Sequence, residues 1–137
     1  MIQVNDLHFA YGSNTQDTLR GLNFQIDDGE IFGFLGPSGA GKSTTQKILI
    51  GILKNFRGSV SVNGLDLQKL NSEFYESIGV AFETPNLYTK FTALENLEFF
   101  AQFYSGATRN PMELLAAVGL EEAAKTRVSD YSKGMKV

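Results

Sequence analysis

One glycine-rich segment constrains the fold of this chain more than any other feature. Residues 36–44 read Gly-Pro-Ser-Gly-Ala-Gly-Lys-Ser-Thr and satisfy the pattern G-x-x-x-x-G-K-[ST]. The continuous apolar run 31–35 precedes this segment, and a helix is expected over residues 42–53 after it. A buried strand, a glycine turn and a helix in this order form the context in which such a loop cradles phosphates. The segment therefore predicts an α/β chain that binds a nucleoside triphosphate, against the alternative of a glycine-rich turn with an incidental lysine.

The residue types of this loop each serve a separate part of phosphate binding. Glycines let consecutive backbone N–H groups approach phosphate oxygens, and the dipole of the following helix favours negative charge at the same place. We expect Lys42 to reach the β- and γ-phosphates, Ser43 to bind Mg²⁺ through its hydroxyl, and Thr44 to assist at the α-phosphate. The expected contacts to ATP are Gly36, Ser38, Gly39, Ala40, Gly41, Lys42, Ser43 and Thr44.

Apolar patterning outside the loop predicts the remaining elements. Short alternating runs at 4–9 and 22–26 indicate half-buried strands, and 59–62 indicates another that ends at an Asn-Gly turn. The runs 31–35 and 78–82 are continuous and predict strands buried on both faces. Thr92 and Glu95 form a capping box that opens a helix to about Tyr104, and a further helix should run from Asn110 to near Gly119.

These elements predict one domain of 137 residues with two parts. Residues 1–83 form a nucleotide-binding core with an antiparallel β portion, and residues 84–137 form a mostly helical subdomain. The net charge of −3 argues against a nucleic-acid partner, and the absence of cysteine excludes a disulfide scaffold. No apolar run is long enough for a membrane-spanning helix.

Two segments before the loop carry a resemblance to a known family. Residues 7–12 read Leu-His-Phe-Ala-Tyr-Gly and residues 19–24 read Leu-Arg-Gly-Leu-Asn-Phe, and both are similar to the start of the ABC transporter ATPases. The resemblance implies that the ring of Tyr11 stacks on adenine. The alternative for Tyr11 is a tyrosine at a strand end with its hydroxyl in water.

Residues 78–88 and 91–97 resemble the Q-loop of this family and the helix start that follows it. The usual glutamine is Glu83 in this chain, which is a form found in the peptide-antibiotic exporter branch. By resemblance, Glu83 is a candidate Mg²⁺ ligand and catalytic residue beside Lys42, because a carboxylate offers the metal a charged oxygen. Alternatively, Glu83 is a surface carboxylate without a ligand role.

Residues 131–136 read Tyr-Ser-Lys-Gly-Met-Lys and resemble the ABC signature, whose common form is Leu-Ser-Gly-Gly-Gln. Ser132 and Gly134 match, and the resemblance implies that they hold the γ-phosphate of an ATP bound to a second subunit. Ser132 is also a good N-cap residue, so a plain helix start is the alternative.

The resemblance implies the ATPase subunit of an exporter: a P-loop NTPase of the ABC type, incomplete at its C-terminus. Such a subunit would bind ATP and Mg²⁺ and act on an integral-membrane permease from the cytoplasmic face. The family's aspartate, glutamate and histidine beyond the signature are absent from residues 1–137, so we expect ATP binding, negligible hydrolysis, and a swapped or nucleotide-sandwich dimer.

Two other functions stay open at the level of sequence: a soluble ABC-type ATPase unconnected with transport, and a nucleotide-binding interaction module. The helical aromatics Phe99, Phe100, Phe103 and Tyr104 are expected to pack in a core, with a docking surface for the permease as the alternative. His8 is the only histidine, and we expect it to have a structural or surface role.

Overall fold

The computed structural model of the chain describes residues 1–12, 16–82, 84 and 86–136. The chain divides into two compact units, Met1–Gly79 and Val80–Val137. Each unit has its own hydrophobic core, and each is considered by itself below. Within the described residues, no helix has the length and apolarity needed to cross a membrane.

The first unit is built on a four-stranded antiparallel sheet. Strands β1 (Ile2–Phe9), β2 (Leu19–Ile26), β3 (Arg57–Val62) and β4 (Leu65–Asp66) lie in the order β2-β1-β3-β4. The turn between β3 and β4 is Asn63-Gly64, and both residues have positive φ (52° and 79°), as the predicted Asn-Gly hairpin requires. The predicted strands at 4–9, 22–26 and 59–62 are therefore all present.

Two helices cover this sheet and form the first core with it. Helix α1 is Lys42–Leu49 and helix α2 is Ser72–Glu76. The first core consists of buried apolar side chains from the sheet, from both helices and from the connecting segments: Val4, Leu7, Phe9, Leu19, Ile48, Leu49, Phe56, Val60, Val62, Leu67 and Phe74.

Helix α1 ends earlier than the sequence predicts. The expected helix ran to Leu53, whereas α1 ends at Leu49 with Ile50 as its C-cap. Gly51 has φ of 75° and its N–H donates to the carbonyl of Ile48 at 2.9 Å. A glycine in this left-handed conformation ends a helix and satisfies one of its last carbonyls, which explains the shorter length.

The prediction of a doubly buried strand at 31–35 is wrong. These residues form no strand, and Ile31 and Leu35 are 100% and 95% exposed. Phe32 and Phe34 instead place their rings 5.5 Å from the ring of Phe24 in β2. A parallel strand needs hydrogen-bonding neighbours, and the described sheet of β1 to β4 includes none for this run.

The apolar run 78–82 is likewise not a strand among the described residues, and Val80 and Phe82 are 42% and 49% exposed. This second prediction of a buried strand is wrong for the same reason. Apolar composition identified a segment suited to burial, but it did not identify what covers the segment.

The second unit contains helices α3 (Ala93–Ala101) and α4 (Pro111–Ala117). Thr92 and Glu95 form the predicted capping box, and Asn110 caps α4 by accepting from Met112 N at 2.8 Å. Helix α3 ends at Ala101, three residues before the predicted end, and residues 102 and 103 continue as a turn. Ala93, Leu115, Ala124 and Tyr131 form the small core of this unit.

The exposed aromatic side chains at the end of α3 and directly after it do not lie in that core. Phe100 and Phe103 are 37% and 67% exposed, and Tyr104 is 44% exposed. The expectation of core packing is therefore wrong for these three side chains. Phe100 and Phe103 belong to an aromatic cluster, which consists of Tyr88, Phe91, Phe99, Phe100 and Phe103. The centroids of its contacting rings are 5.1 to 6.4 Å apart.

Candidate functional site

The backbone of the glycine loop turns between residue 36 and the first residue of α1. Ala40 N donates to Pro37 O at 3.2 Å, which closes a tight turn within the loop. Gly39 and Gly41 have φ of 81° and 89°, a conformation that side chains rarely adopt. At Gly41 an added Cβ would lie 2.5 Å from Leu19 Cδ2, so the loop approaches β2 at a distance that only glycine permits.

Lys42 folds back over the start of this loop. Its Nζ donates to Gly36 O and to Pro37 O, each at 2.7 Å. An ammonium has three protons to donate, and these two bonds leave one for a ligand. The lysine therefore holds the loop closed and keeps a positive charge at its mouth.

The start of α1 has no cap from its own sequence. Gly41 has no side chain, and the first turn contains no acidic residue. The first intrahelical bond runs from Thr45 N to Gly41 O at 2.8 Å, so the N–H groups of Lys42, Ser43 and Thr44 have no helical partner. Three donors and the positive end of the helix dipole therefore face the loop together, which favours an anion there.

Tyr11 lies beside this helix start. Its hydroxyl is 3.1 Å from Thr44 Oγ1, and either oxygen can be the donor. The ring of Phe9 contacts the ring of Tyr11 at right angles, with centroids 4.9 Å apart. Tyr11 is 40% exposed, so part of its ring remains accessible to a ligand.

The described part of the loop that follows Tyr11 is anchored at its far end. Arg57 in β3 donates to Asp17 Oδ2 at 2.6 Å, and His8 Nδ1 lies 3.3 Å from the same oxygen. The hydrogen bond from Arg57 is the main reason that the pKa of Asp17 is lowered, with a smaller contribution from His8. His8 also contacts Asp6 at 3.0 Å, so both of its ring nitrogens face carboxylates, in agreement with a structural role.

The donor set at the loop is compatible with Mg²⁺ held mainly by a ligand. Ser43 is exposed in the first turn of α1. No group of three or more His, Cys, Asp or Glu side chains that could hold a metal exists within the described ranges. Mg²⁺ commonly takes one or two protein oxygens together with substrate phosphates and waters, so Ser43 is the described residue best suited to bind it.

The signature-like segment lies in the second unit, beside a buried tyrosine. Tyr131 is 5% exposed and its hydroxyl donates to Ala123 O at 2.8 Å. Burial raises the pKa of Tyr131 above its ordinary value. Ser132 Oγ accepts from Met135 N at 3.3 Å and opens a 3₁₀ turn, Gly134–Lys136, while Ser132 and Gly134 stay exposed. Ser132 thus accepts a hydrogen bond from this turn, although Lys133 is the residue that directly precedes it.

Glu83 lies outside the described residues, whereas Tyr88 in the segment that follows it is fixed to α3. Asn96 is 2% exposed; its Oδ1 accepts from Tyr88 N at 2.9 Å, and its Nδ2 donates to Tyr88 O at 3.0 Å and to Thr92 O at 2.9 Å. Sequence reasoning missed Asn96. The available signal was an asparagine, a poor helix former, inside a helix one turn after the cap.

The loop sequence and the helix that it opens indicate the P-loop NTPase class. A family profile described as ABC transporter matches residues 19–137, which is most of the chain. The chain belongs to the ABC transporter family, and the resemblance identified from its sequence is confirmed.

Several curated relatives carry related names. A fluoroquinolones export ATP-binding protein of Mycobacterium tuberculosis is 52% identical over 100% of this chain. A linearmycin resistance ATP-binding protein of Bacillus subtilis is 36% identical, and a bacitracin transport ATP-binding protein of Bacillus licheniformis is 37% identical, each over 99% of the chain. The chain spans about half the length of these relatives: 46%, 44% and 44% respectively.

Solved structures show the same fold. An ATP-binding subunit of an ABC transporter has a TM-score of 0.83 at 34% identity, covering 98% of this chain and 57% of that one. A dimeric ATP-binding cassette in a post-hydrolysis state, bound to ADP and Pi, has a TM-score of 0.79 at 28% identity, covering 99% of this chain and 65% of that one. The prediction of an ABC-type P-loop NTPase fold is therefore confirmed.

Proposed function

We propose that this chain is the ATP-binding part of an exporter subunit that couples MgATP binding and hydrolysis to transport by a separate membrane permease. The observation that carries the proposal is the uncapped start of α1, where three backbone N–H groups and Lys42 converge on one loop. The names of the relatives, which include export and transport ATP-binding proteins, support the coupling to export. Such a subunit would act at the cytoplasmic face of the membrane.

The proposed nucleotide contacts follow from this geometry. The backbone of the loop would bind the phosphates, Lys42 would contact the β- and γ-phosphates, and Tyr11 would stack on the base. Ser43 would ligate Mg²⁺, which supplies charge neutralisation at the phosphates, and Glu83 is proposed as a second ligand by resemblance alone. The complete set of proposed loop contacts is Gly36, Ser38, Gly39, Ala40, Gly41, Lys42, Ser43 and Thr44.

Binding without rapid hydrolysis is the activity we propose for the 137-residue chain. The described hydrogen bonds at the loop involve hydroxyls, backbone carbonyls and the Lys42 ammonium, and none involves a carboxylate. A carboxylate that orients water is a usual requirement for fast hydrolysis of ATP. Negligible phosphate release by material that binds MgATP is the result this part of the proposal expects.

The central test is equilibrium binding of ATP with and without Mg²⁺, for the wild type and for Lys42→Ala. Loss of a charge-assisted contact should weaken MgATP binding by at least about tenfold. Lys47→Ala is a matched control, because Lys47 lies on the last turn of the same helix and should not contact the nucleotide. Equal affinities for the wild type and the Lys42 variant would contradict the proposal.

Two kinds of partner are proposed. The aromatic cluster of Tyr88, Phe91, Phe99, Phe100 and Phe103 is suited to an apolar segment of the permease, because exposed aromatic groups of this size usually mark an interface. Exposed Ser132 and Gly134 would contact the nucleotide of a second copy, as the dimeric relative suggests.

Self-association also has support from the apolar residues left exposed at 31–35, and either a nucleotide sandwich or a swapped dimer would cover them. Sedimentation at increasing protein concentration, with and without MgATP, tests this proposal. A compact monomer under all of these conditions would exclude it.

A further inference from the structure

We propose that the Tyr11 hydroxyl takes part in phosphate binding through Thr44, in addition to the stacking of the Tyr11 ring on a base. In this arrangement Tyr11 donates its proton to Thr44 Oγ1, and the Thr44 proton is thereby directed to a phosphate oxygen. The inference rests on the proposed function, because it requires a phosphate at the start of α1.

The two hydroxyls meet at a single, well-defined position. Their oxygens are 3.1 Å apart, although the residues are 33 positions apart in the chain. Thr44 is 7% exposed and lies in the first turn of α1, so its hydroxyl has little access to bulk water. Tyr11 is held from the side by Phe9, whose ring centroid lies 4.9 Å away.

Counting protons fixes the direction of the Tyr11–Thr44 bond once Thr44 donates to a phosphate. Each hydroxyl has one proton to donate, and an ionised phosphate oxygen only accepts. If Thr44 donated to Tyr11, it would have no proton left for the phosphate. In the proposed arrangement Thr44 donates its one proton to a phosphate oxygen, so Tyr11 has to be the donor to Thr44.

A chain of two such bonds is stronger than its members taken singly. The Tyr11 proton polarises the Thr44 hydroxyl, which then donates more strongly to the phosphate. The hydroxyl and the ring of Tyr11 therefore have separable effects. The ring acts on the base, whereas the hydroxyl acts on the phosphates and should matter even for a ligand without a base.

Inorganic tripolyphosphate with Mg²⁺ is the probe that separates these effects, because it has the phosphates and no adenine. We expect Tyr11→Phe to weaken binding of both Mg-tripolyphosphate and MgATP by about three- to tenfold, measured by calorimetry. Tyr75→Phe is the matched control: Tyr75 lies in the same unit, is 45% exposed, and its hydroxyl donates to Gly51 O at 3.4 Å, away from the loop. It should leave both affinities unchanged.

Substitution of the other partner tests the coupling. Thr44→Val should weaken binding by a similar or larger factor, and Thr44→Ser should restore most of the loss because it keeps the hydroxyl. In the Tyr11→Phe, Thr44→Val double variant the loss should equal that of Thr44→Val alone. Unfolding midpoints of all variants identify any that lose affinity through misfolding, and the Ser variant provides a folded comparison.

Two outcomes would overturn the inference while leaving the proposed function intact. One is a Tyr11→Phe variant that binds Mg-tripolyphosphate as tightly as the wild type, which would assign Tyr11 to the base only. The other is a double variant in which the single losses multiply, because that result describes independent groups. Failure of the wild type to bind MgATP would remove the proposed function and this inference together.

Discussion

Helices α1 and α3 begin in opposite ways, although both starts follow from short sequence patterns. At α3, Thr92 accepts from Glu95 N at 3.2 Å, and Glu95 Oε2 accepts from Thr92 N at 2.8 Å. At α1, Gly41 has φ of 89° and provides no side-chain cap, and no acid follows in the first turn. Side chains of the chain itself bind the first N–H groups of α3, whereas those of α1 have no side-chain cap.

This contrast shows that the residues at a helix start indicate whether its N–H groups stabilise the helix or are available to an anion. A capping box stabilises a helix without any ligand, whereas a start without a cap loses that stabilisation and gains an anion site. The same backbone groups serve structure in the second unit and, we propose, nucleotide binding in the first. Substitutions that make the start of α1 resemble that of α3, or the reverse, test this difference in the use of the N–H groups.

The largest expected effect comes from giving α1 an acid of its own. Ser43→Glu places a carboxylate in the exposed first turn, where it would occupy the N–H groups, repel phosphate and remove the proposed Mg²⁺ ligand. We expect affinity for MgATP to fall roughly a thousandfold, about 4 kcal/mol, with thermal stability unchanged or slightly higher. Ser43→Ala should show a smaller loss, confined to the Mg²⁺-dependent part of binding. Equal binding by Ser43→Glu and wild type would show that the ligand lies elsewhere.

A second substitution tests why the N-cap position of α1 is a glycine, Gly41, whereas that of α3 is Thr92. Gly41→Ala combines a left-handed backbone with a Cβ placed 2.5 Å from Leu19 Cδ2, and should destabilise the fold by about 2–4 kcal/mol. Gly64→Ala is the matched control, because Gly64 has φ of 79° but open space around its Cβ, so only about 1 kcal/mol is expected. Urea unfolding measures the loss of stability in both variants. Equal losses would mean that the approach to β2 has no energetic role.

The smallest expected effect is a pH dependence of folding stability that comes from the start of α3 and has no counterpart at the start of α1. The Thr92 backbone N–H, and then its hydroxyl, lower the pKa of Glu95 from its ordinary value of 4.5. A lowered folded-state pKa means that this stabilisation is complete above pH 4.5 and is lost as pH falls through the folded value. Glu95→Gln can keep the cap geometry without titrating. The stability difference between wild type and Glu95→Gln should therefore shrink below that pH, and a constant difference would contradict the assignment.

Features set by neighbouring residues could be predicted from the sequence. The loop at 36–44, the capping box of Thr92 and Glu95, and the turn at Asn63-Gly64 each depend on a few consecutive positions. Their backbone conformations follow from residue type, because glycine, asparagine and capping side chains have strong local preferences. The sequence resemblance then located the family correctly.

Features set by distant residues could not be predicted in the same way. The runs 31–35 and 78–82 are apolar enough for strands, yet strand formation depends on partners that local composition does not specify. The Tyr11–Thr44 contact spans 33 positions, and the anchoring of Tyr131 on Ala123 depends on how the second unit folds. Position along the chain gave no signal for either contact.

The clamp that Asn96 applies to Tyr88 has a mechanical consequence. One amide group engages both the N–H and the carbonyl of Tyr88 while it also binds Thr92, so this part of the segment and α3 have little freedom to slide past each other. A displacement of the Tyr88 backbone should therefore be transmitted to α3 through these bonds. Asn96→Asp would remove the bonds to Tyr88 O and Thr92 O and would keep the acceptor for Tyr88 N, so it should loosen this connection.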